Sequence, residues 1–256
     1  MKGGKLYYLL KNLSKDEFKG LRKAVQSPIY NTNPKVMTLF EAIRKQYPDF
    51  DNSSAGRAKI YARVFPSERF KDQKLRRVFT ELTRIVEHYL VFLELEKETF
   101  NREKILTYAL GKRNMFDLFE RKTELLSEEL EARPIQNADY FLNKIQLKEA
   151  LYFHPQHNKF NLSDTVLEDL TDSLDGYFAF EKMRFSVAVQ NQMKILKKTY
   201  PIRFSEAIRK EIEAGFLSEN PIFQLYLNSI LVTDEKAGLD FGQYEELLFD
   251  NINDLT

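Results

Sequence analysis

Apolar side chains recur at helical spacing from one end of this chain to the other. The first clear case follows Ser14-Lys15-Asp16-Glu17, a capping-box pattern. In such a box the serine hydroxyl accepts the amide three residues on, and the glutamate reaches back to the serine amide. Phe18, Leu21 and Val25 line one face behind it, with Ala24 beside them. Ser27-Pro28 predicts the stop, because proline disfavours helix in the residue before it. Asn33 as cap and Pro34 at the first helical position open a second helix, with a stripe of Val36, Leu39, Phe40 and Ile43. Tyr47-Pro48 is expected to end it. Residues 49–54 read as polar loop, a short basic helix is expected from about Ala55 to Phe65, and Pro66-Ser67 breaks it.

The strongest pattern comes next. Leu75, Val78, Leu82, Ile85, Tyr89 and Phe92 alternate spacings of three and four, and Phe79, Val86, Leu90 and Leu93 widen the stripe. This predicts a long helix whose broad apolar face suits a packed bundle better than a coiled-coil seam. Helical hairpins follow in series. One helix holds Ile105, Leu106, Tyr108, Ala109 and Leu110 and closes near Gly111. The next holds Met115, Leu118, Phe119, Leu125, Leu126 and Leu130 and stops before Arg133-Pro134. A third holds Tyr140, Phe141, Ile145, Leu147, Ala150 and Leu151 and stops before His154-Pro155. Residues 155–162 read as a polar loop. A long helical stretch is expected from Ser163 to Tyr200, with a kink or break at Asp175-Gly176. Shorter helices are expected over Ser205–Leu217, from Pro221 to Val232 behind an Asn220 cap, and over Asp240–Leu255.

No segment reads as a strand. The expected fold is all-α: a basic helical bundle over 1–99, followed over 100–256 by stacked helical hairpins in a tetratricopeptide-like α-solenoid, continuous with the bundle. The hairpins recur roughly every 35–45 residues, within the range of helical repeats. The chain stops just after Leu247, Leu248, Phe249 and Ile252 without a polar capping helix. Solenoid ends usually need one. The expectation is a fragment of a longer protein, or an end that docks on something.

Composition supports helices. Gly (9) and Pro (8) are scarce, which disfavours a turn-rich β fold. The aromatic load of 21 Phe and 13 Tyr suits helix packing. Cysteine is absent, which excludes disulfides, thiolate metal sites and cysteine nucleophiles. The apolar run Leu6–Leu10 is too short for a secretory signal, and no window reaches the 18 or so apolar residues of a membrane helix. The chain therefore reads as soluble and cytoplasmic, with no membrane partner.

Charge is unevenly spread. Residues 1–90 hold 19 Lys and Arg against 9 Asp and Glu, whereas residues 205–256 hold 3 against 11. A near-neutral total thus hides a basic beginning and an acidic end. Arg57, Lys59, Arg63, Lys74, Arg76, Arg77 and Arg84 are the candidate contacts to nucleic acid or another anion, with Arg69 and Lys71 among them in sequence. The competing reading is that the basic and acidic ends pair with each other, or with neighbouring copies.

Catalytic signatures are missing. There is no glycine-rich phosphate loop, dinucleotide fingerprint or nucleophile elbow. His154-Pro155-Gln156-His157 is the nearest approach to a metal pair, and it reads as loop polarity because Pro155 prevents a shared helical face. His88 reads as a half-exposed helix residue. Glu94, Glu96, Glu98, Glu128, Glu129, Glu131, Glu245 and Glu246 read as solvated helix faces, not as an acid–base pair in a cleft. No catalytic, metal or cofactor-binding residue is assigned.

Two stretches carry a resemblance. One is Leu13–Phe18 leading to Ser27–Asn33, followed by Phe65-Pro66 and Lys74–Arg77. The other is Leu174–Phe178, followed by Lys182-Met183-Arg184. Together they resemble an uncharacterised family of helical proteins from Bacteroidetes-type bacteria, which implies no activity. The hairpin region is also similar to tetratricopeptide-type repeats, without their full pattern, and that similarity implies peptide or protein binding. The expected function is a non-catalytic helical scaffold that binds another protein or a peptide. The alternative is nucleic-acid binding by the basic N-terminal helices.

Overall fold

The computed structural model describes residues 4–50, 53–156 and 165–233, and among these the chain forms eleven α-helices and no strand. The helices are α1 (Lys5–Lys11), α2 (Lys15–Gln26), α3 (Pro34–Arg44), α4 (Ser54–Val64), α5 (Asp72–Lys97), α6 (Thr99–Gly111), α7 (Phe116–Glu131), α8 (Ala138–Tyr152), α9 (Val166–Leu196), α10 (Ser205–Glu213) and α11 (Pro221–Thr233). The chain divides into two compact units, Met1–Arg102 and Glu103–Thr256.

In the first unit the sequence signals act as their chemistry dictates. The Ser14 hydroxyl accepts the Glu17 amide at 3.2 Å, and the Glu17 carboxylate accepts the Ser14 amide at 2.8 Å. Asn33 accepts the Lys35 amide at 3.0 Å ahead of Pro34. Ser53 accepts the Gly56 amide at 3.0 Å and starts α4. The stripe of α5 is buried as Leu75, Val78, Leu82, Ile85, Val86 and Tyr89, and α5 packs against α1, α2 and α3. It is the spine of a bundle, and each of these buried side chains stabilises the fold by about 1.5–3 kcal/mol. Helix α1 is an addition to the expected elements. Its Leu6, Tyr7 and Leu10 are buried, and the Tyr7 ring stacks on Phe50 and meets Phe79 edge-on. Seven residues make only two turns, too few for a period to show in sequence. Gly20 on α2 faces Tyr89, and a Cβ there would overlap the tyrosine hydroxyl.

In the second unit α7 packs on α8, α8 on α9, and α9 on α10 and α11. Helix α6 meets α8 through Lys104, whose Nζ donates to Asn143 Oδ1 (2.5 Å) and Gln146 Oε1 (2.8 Å). The expected break at Asp175-Gly176 does not occur, and α9 runs unbroken for 31 residues. Gly176 serves packing instead. A Cβ at this position would sit 2.6 Å from Cε1 of Phe141, so the missing side chain lets α8 approach α9. Helix α10 ends at Glu213, before the expected Leu217, because Gly215 (φ 102°) and Leu217 (φ 55°) leave the right-handed region. Asn220 caps α11 by accepting the Phe223 amide at 3.0 Å. The helix expected over 240–255 and most of the 155–162 loop lie outside the described residues.

Candidate interaction surfaces

The basic residues of the first unit fall into two sets. Arg57, Lys74 and Arg76 are held by carboxylates. Arg57 Nη2 lies 2.6 Å from Asp72 Oδ1, and Arg76 Nε lies 2.5 Å from Asp72 Oδ2. The Arg57 hydrogen bond, with Arg76 beside it, keeps the Asp72 carboxyl below its ordinary range. Lys74 Nζ lies 2.5 Å from Glu68 Oε2; this bond lowers the glutamate and raises the lysine. Arg57 and Arg76 also share, with Lys5, Phe79 and Thr83, the lining of a cleft of about 280 Å³. The second set is Lys59, Arg63, Arg77 and Arg84. All four are exposed and have no ion-pair partner among the described residues. Lys59 and Arg63 are one turn apart on α4, and Arg77 and Arg84 are two turns apart on α5, so each pair shares a helix face.

The second unit carries a different kind of surface. Helix α7 has two apolar doublets, Leu118-Phe119 and Leu125-Leu126, seven residues apart. Phe119 and Leu126 are buried, while Leu118 and Leu125 are 57% and 52% exposed. Met115 before them and Ile105 and Leu106 on α6 are exposed as well. Helix α9 shows the same division on a larger scale. Gly176, Ala179, Phe180 and Met183 are buried, whereas Leu167, Leu174, Phe178 and Phe185 face outward. Single exposed apolar side chains are ordinary, but recurrence along one helix face is not. The doublets were the legible signal, since two neighbouring apolar residues 100° apart cannot both sit at the centre of one buried stripe.

Each unit also holds polar groups with structural roles. His154 is buried and not loop polarity. Its ring lies 4.8 Å from that of Phe116 and 4.9 Å from that of Phe119. The Gln156 amide donates to Nδ1 at 3.2 Å, which assigns the proton to Nε2, 3.3 Å from the Gly111 carbonyl. His157 lies outside the described residues. His88 is exposed, with its ring 6.2 Å from Tyr30. At the α7–α8 corner, Glu131 accepts from Lys144 at 2.8 Å and from the Tyr140 hydroxyl. Burial works to raise the Glu131 carboxyl, but the bonds from Lys144 and Tyr140 outweigh it and hold it below the ordinary range. Burial and the same glutamate both raise Tyr140.

A cleft of about 560 Å³ is lined by the α7–α8 and α10–α11 loops, including Pro134, Gln136, Leu217 and Ile222, and Glu219 is the one titratable side chain among its described lining residues. Among the described residues no group of three or more His, Asp or Glu is placed to hold a metal, and no helix is long and apolar enough to cross a membrane. Comparison with protein-family models, with curated proteins and with solved structures finds no match to this chain.

Proposed function

We propose that this chain is a non-catalytic helical scaffold of the cytoplasm that binds another protein or a peptide, with tetratricopeptide-like hairpins in its second unit and kinship to the Bacteroidetes-type family it resembles. The observation that carries the reading is the doubled apolar pattern of α7, with Leu118 and Leu125 outside and Phe119 and Leu126 inside. Exposed leucines two turns apart on one face are the kind of anchor that a partner helix or extended peptide covers. A single cysteine placed at Leu118 and carrying a photoreactive group tests it, since the chain has no cysteine of its own. In lysate this probe should give discrete crosslinked bands that a probe at exposed Lys59 does not give. Equal, diffuse labelling from both positions would remove the reading.

A second reading, nucleic-acid binding by the first unit, is favoured by Lys59, Arg63, Arg77 and Arg84, four exposed bases with no ion-pair partner among the described residues. It requires DNA or RNA affinity that falls steeply with salt. Replacing Arg77 and Arg84 by alanine should then flatten that dependence by about two phosphate contacts. Absence of binding at low ionic strength excludes it.

A further inference from the structure

The outward face of α9 contains its own complement. Leu167, Leu174, Phe178 and Phe185 are between 44% and 55% exposed, and Phe204 meets Phe178 edge-on at 5.9 Å and enlarges the apolar patch. Their spacings of seven, four and seven place all four within about 20° of one line along the helix. The order is symmetric about position 176: the spacings read the same from either end. Charge along α9 is antisymmetric about the same centre. The first turns carry Glu168, Asp169, Asp172 and Asp175 and no base, whereas after Glu181 the helix carries only bases, beginning with Lys182 and Arg184. Arg184 is engaged by Glu181 on its own helix, with Nη2 2.6 Å from Oε2. Glu168 and Lys182 have no ion-pair partner among the described residues.

We propose that this face is the seam of a two-fold dimer, with the antiparallel α9 of a second copy as its occupant. With the axis at position 176, Leu167 lies opposite Phe185 of the second copy, and Leu174 opposite Phe178. Lys182 then lies beside Glu168 of the second copy on the same flank. The arrangement repeats on both sides of the axis, as a closed isologous contact must. A parallel pairing sets acid against acid and base against base, so the charge order selects the antiparallel one.

Light scattering on the full chain measures the state directly. The mass should rise with concentration toward twice 30.3 kDa. Leu174→Glu should leave a monomer with an unchanged far-ultraviolet spectrum. Lys182→Glu should raise the dimer dissociation constant severalfold, and adding Glu168→Lys should restore it. The absence of cysteine allows a register test. Separately prepared Leu167→Cys and Phe185→Cys chains, when mixed, should form the mixed disulfide. Leu167→Cys alone should not crosslink, because its two copies are about 27 Å apart along the seam. A monomer at every concentration, a dimer indifferent to Leu174→Glu, or crosslinking of Leu167→Cys with itself would each overturn the proposal.

Discussion

Two glycines and one histidine show how single residues set this fold. Gly176 has Phe141 where a side chain would be, so Gly176→Ala should destabilise the second unit by about 1–3 kcal/mol through overpacking, despite the better helix propensity of alanine. Thermal unfolding checks it, and Phe141→Leu in the same chain should recover most of the loss. Gly20 differs because what it meets is the hydroxyl tip of Tyr89. Gly20→Ala should therefore be costly in the natural chain and close to neutral once Tyr89→Phe removes that oxygen, a coupling that a double-mutant cycle reads. The buried His154 ring should be replaceable by phenylalanine at small cost, whereas alanine should cost about 2 kcal/mol by opening a cavity against Phe116 and Phe119. Neither Gly176 nor His154 was legible from its letter. Sequence shows that glycine weakens a helix and that a histidine follows a helix end, but not which ring comes to lie against either.

Elements were legible where a stop or start signal coincided with a long period. Helices α2, α3 and α11 carry side-chain caps at Ser14, Asn33 and Asn220, and α5 repeats its stripe over 26 residues. Helix α1 has neither signal, and tertiary contact with Phe50 and Phe79 makes it. Ser14→Ala should cost about 1 kcal/mol by leaving the Glu17 amide without its acceptor. The α7–α8 corner depends on pH in a definite sense. Because Glu131 is lowered in the folded chain, its contribution is present above the ordinary glutamate range and is lost as the pH falls through its lowered value. Glu131→Gln should therefore lower stability near neutrality and flatten the acid limb of the profile, the two chains converging at low pH, as denaturant unfolding from neutral to acidic pH would show. The sidedness of α7 and α9 was only half legible. Periodicity identifies an apolar face, but when a helix has two, packing alone decides which is covered.

At the scale of the whole molecule, each unit presents its own candidate surface. The first unit presents Lys59, Arg63, Arg77 and Arg84 to solvent, and the second presents Leu118 and Leu125. The basic excess of residues 1–90 was visible in the sequence, yet it did not reveal that Asp72 and Glu68 already hold Arg57, Arg76 and Lys74. The scaffold reading and the nucleic-acid reading respond oppositely to salt, because ionic strength screens phosphate contacts and leaves apolar burial largely intact. Capture from the source cell's lysate at low salt and again at about 0.5 M salt, with the natural chain and the Leu118→Glu/Leu125→Glu variant as baits, separates apolar docking on α7 from phosphate binding. A protein partner should be retained by the natural chain at both salt concentrations and lost by the variant at both. A partner released by salt alone and indifferent to the two leucines would contradict it.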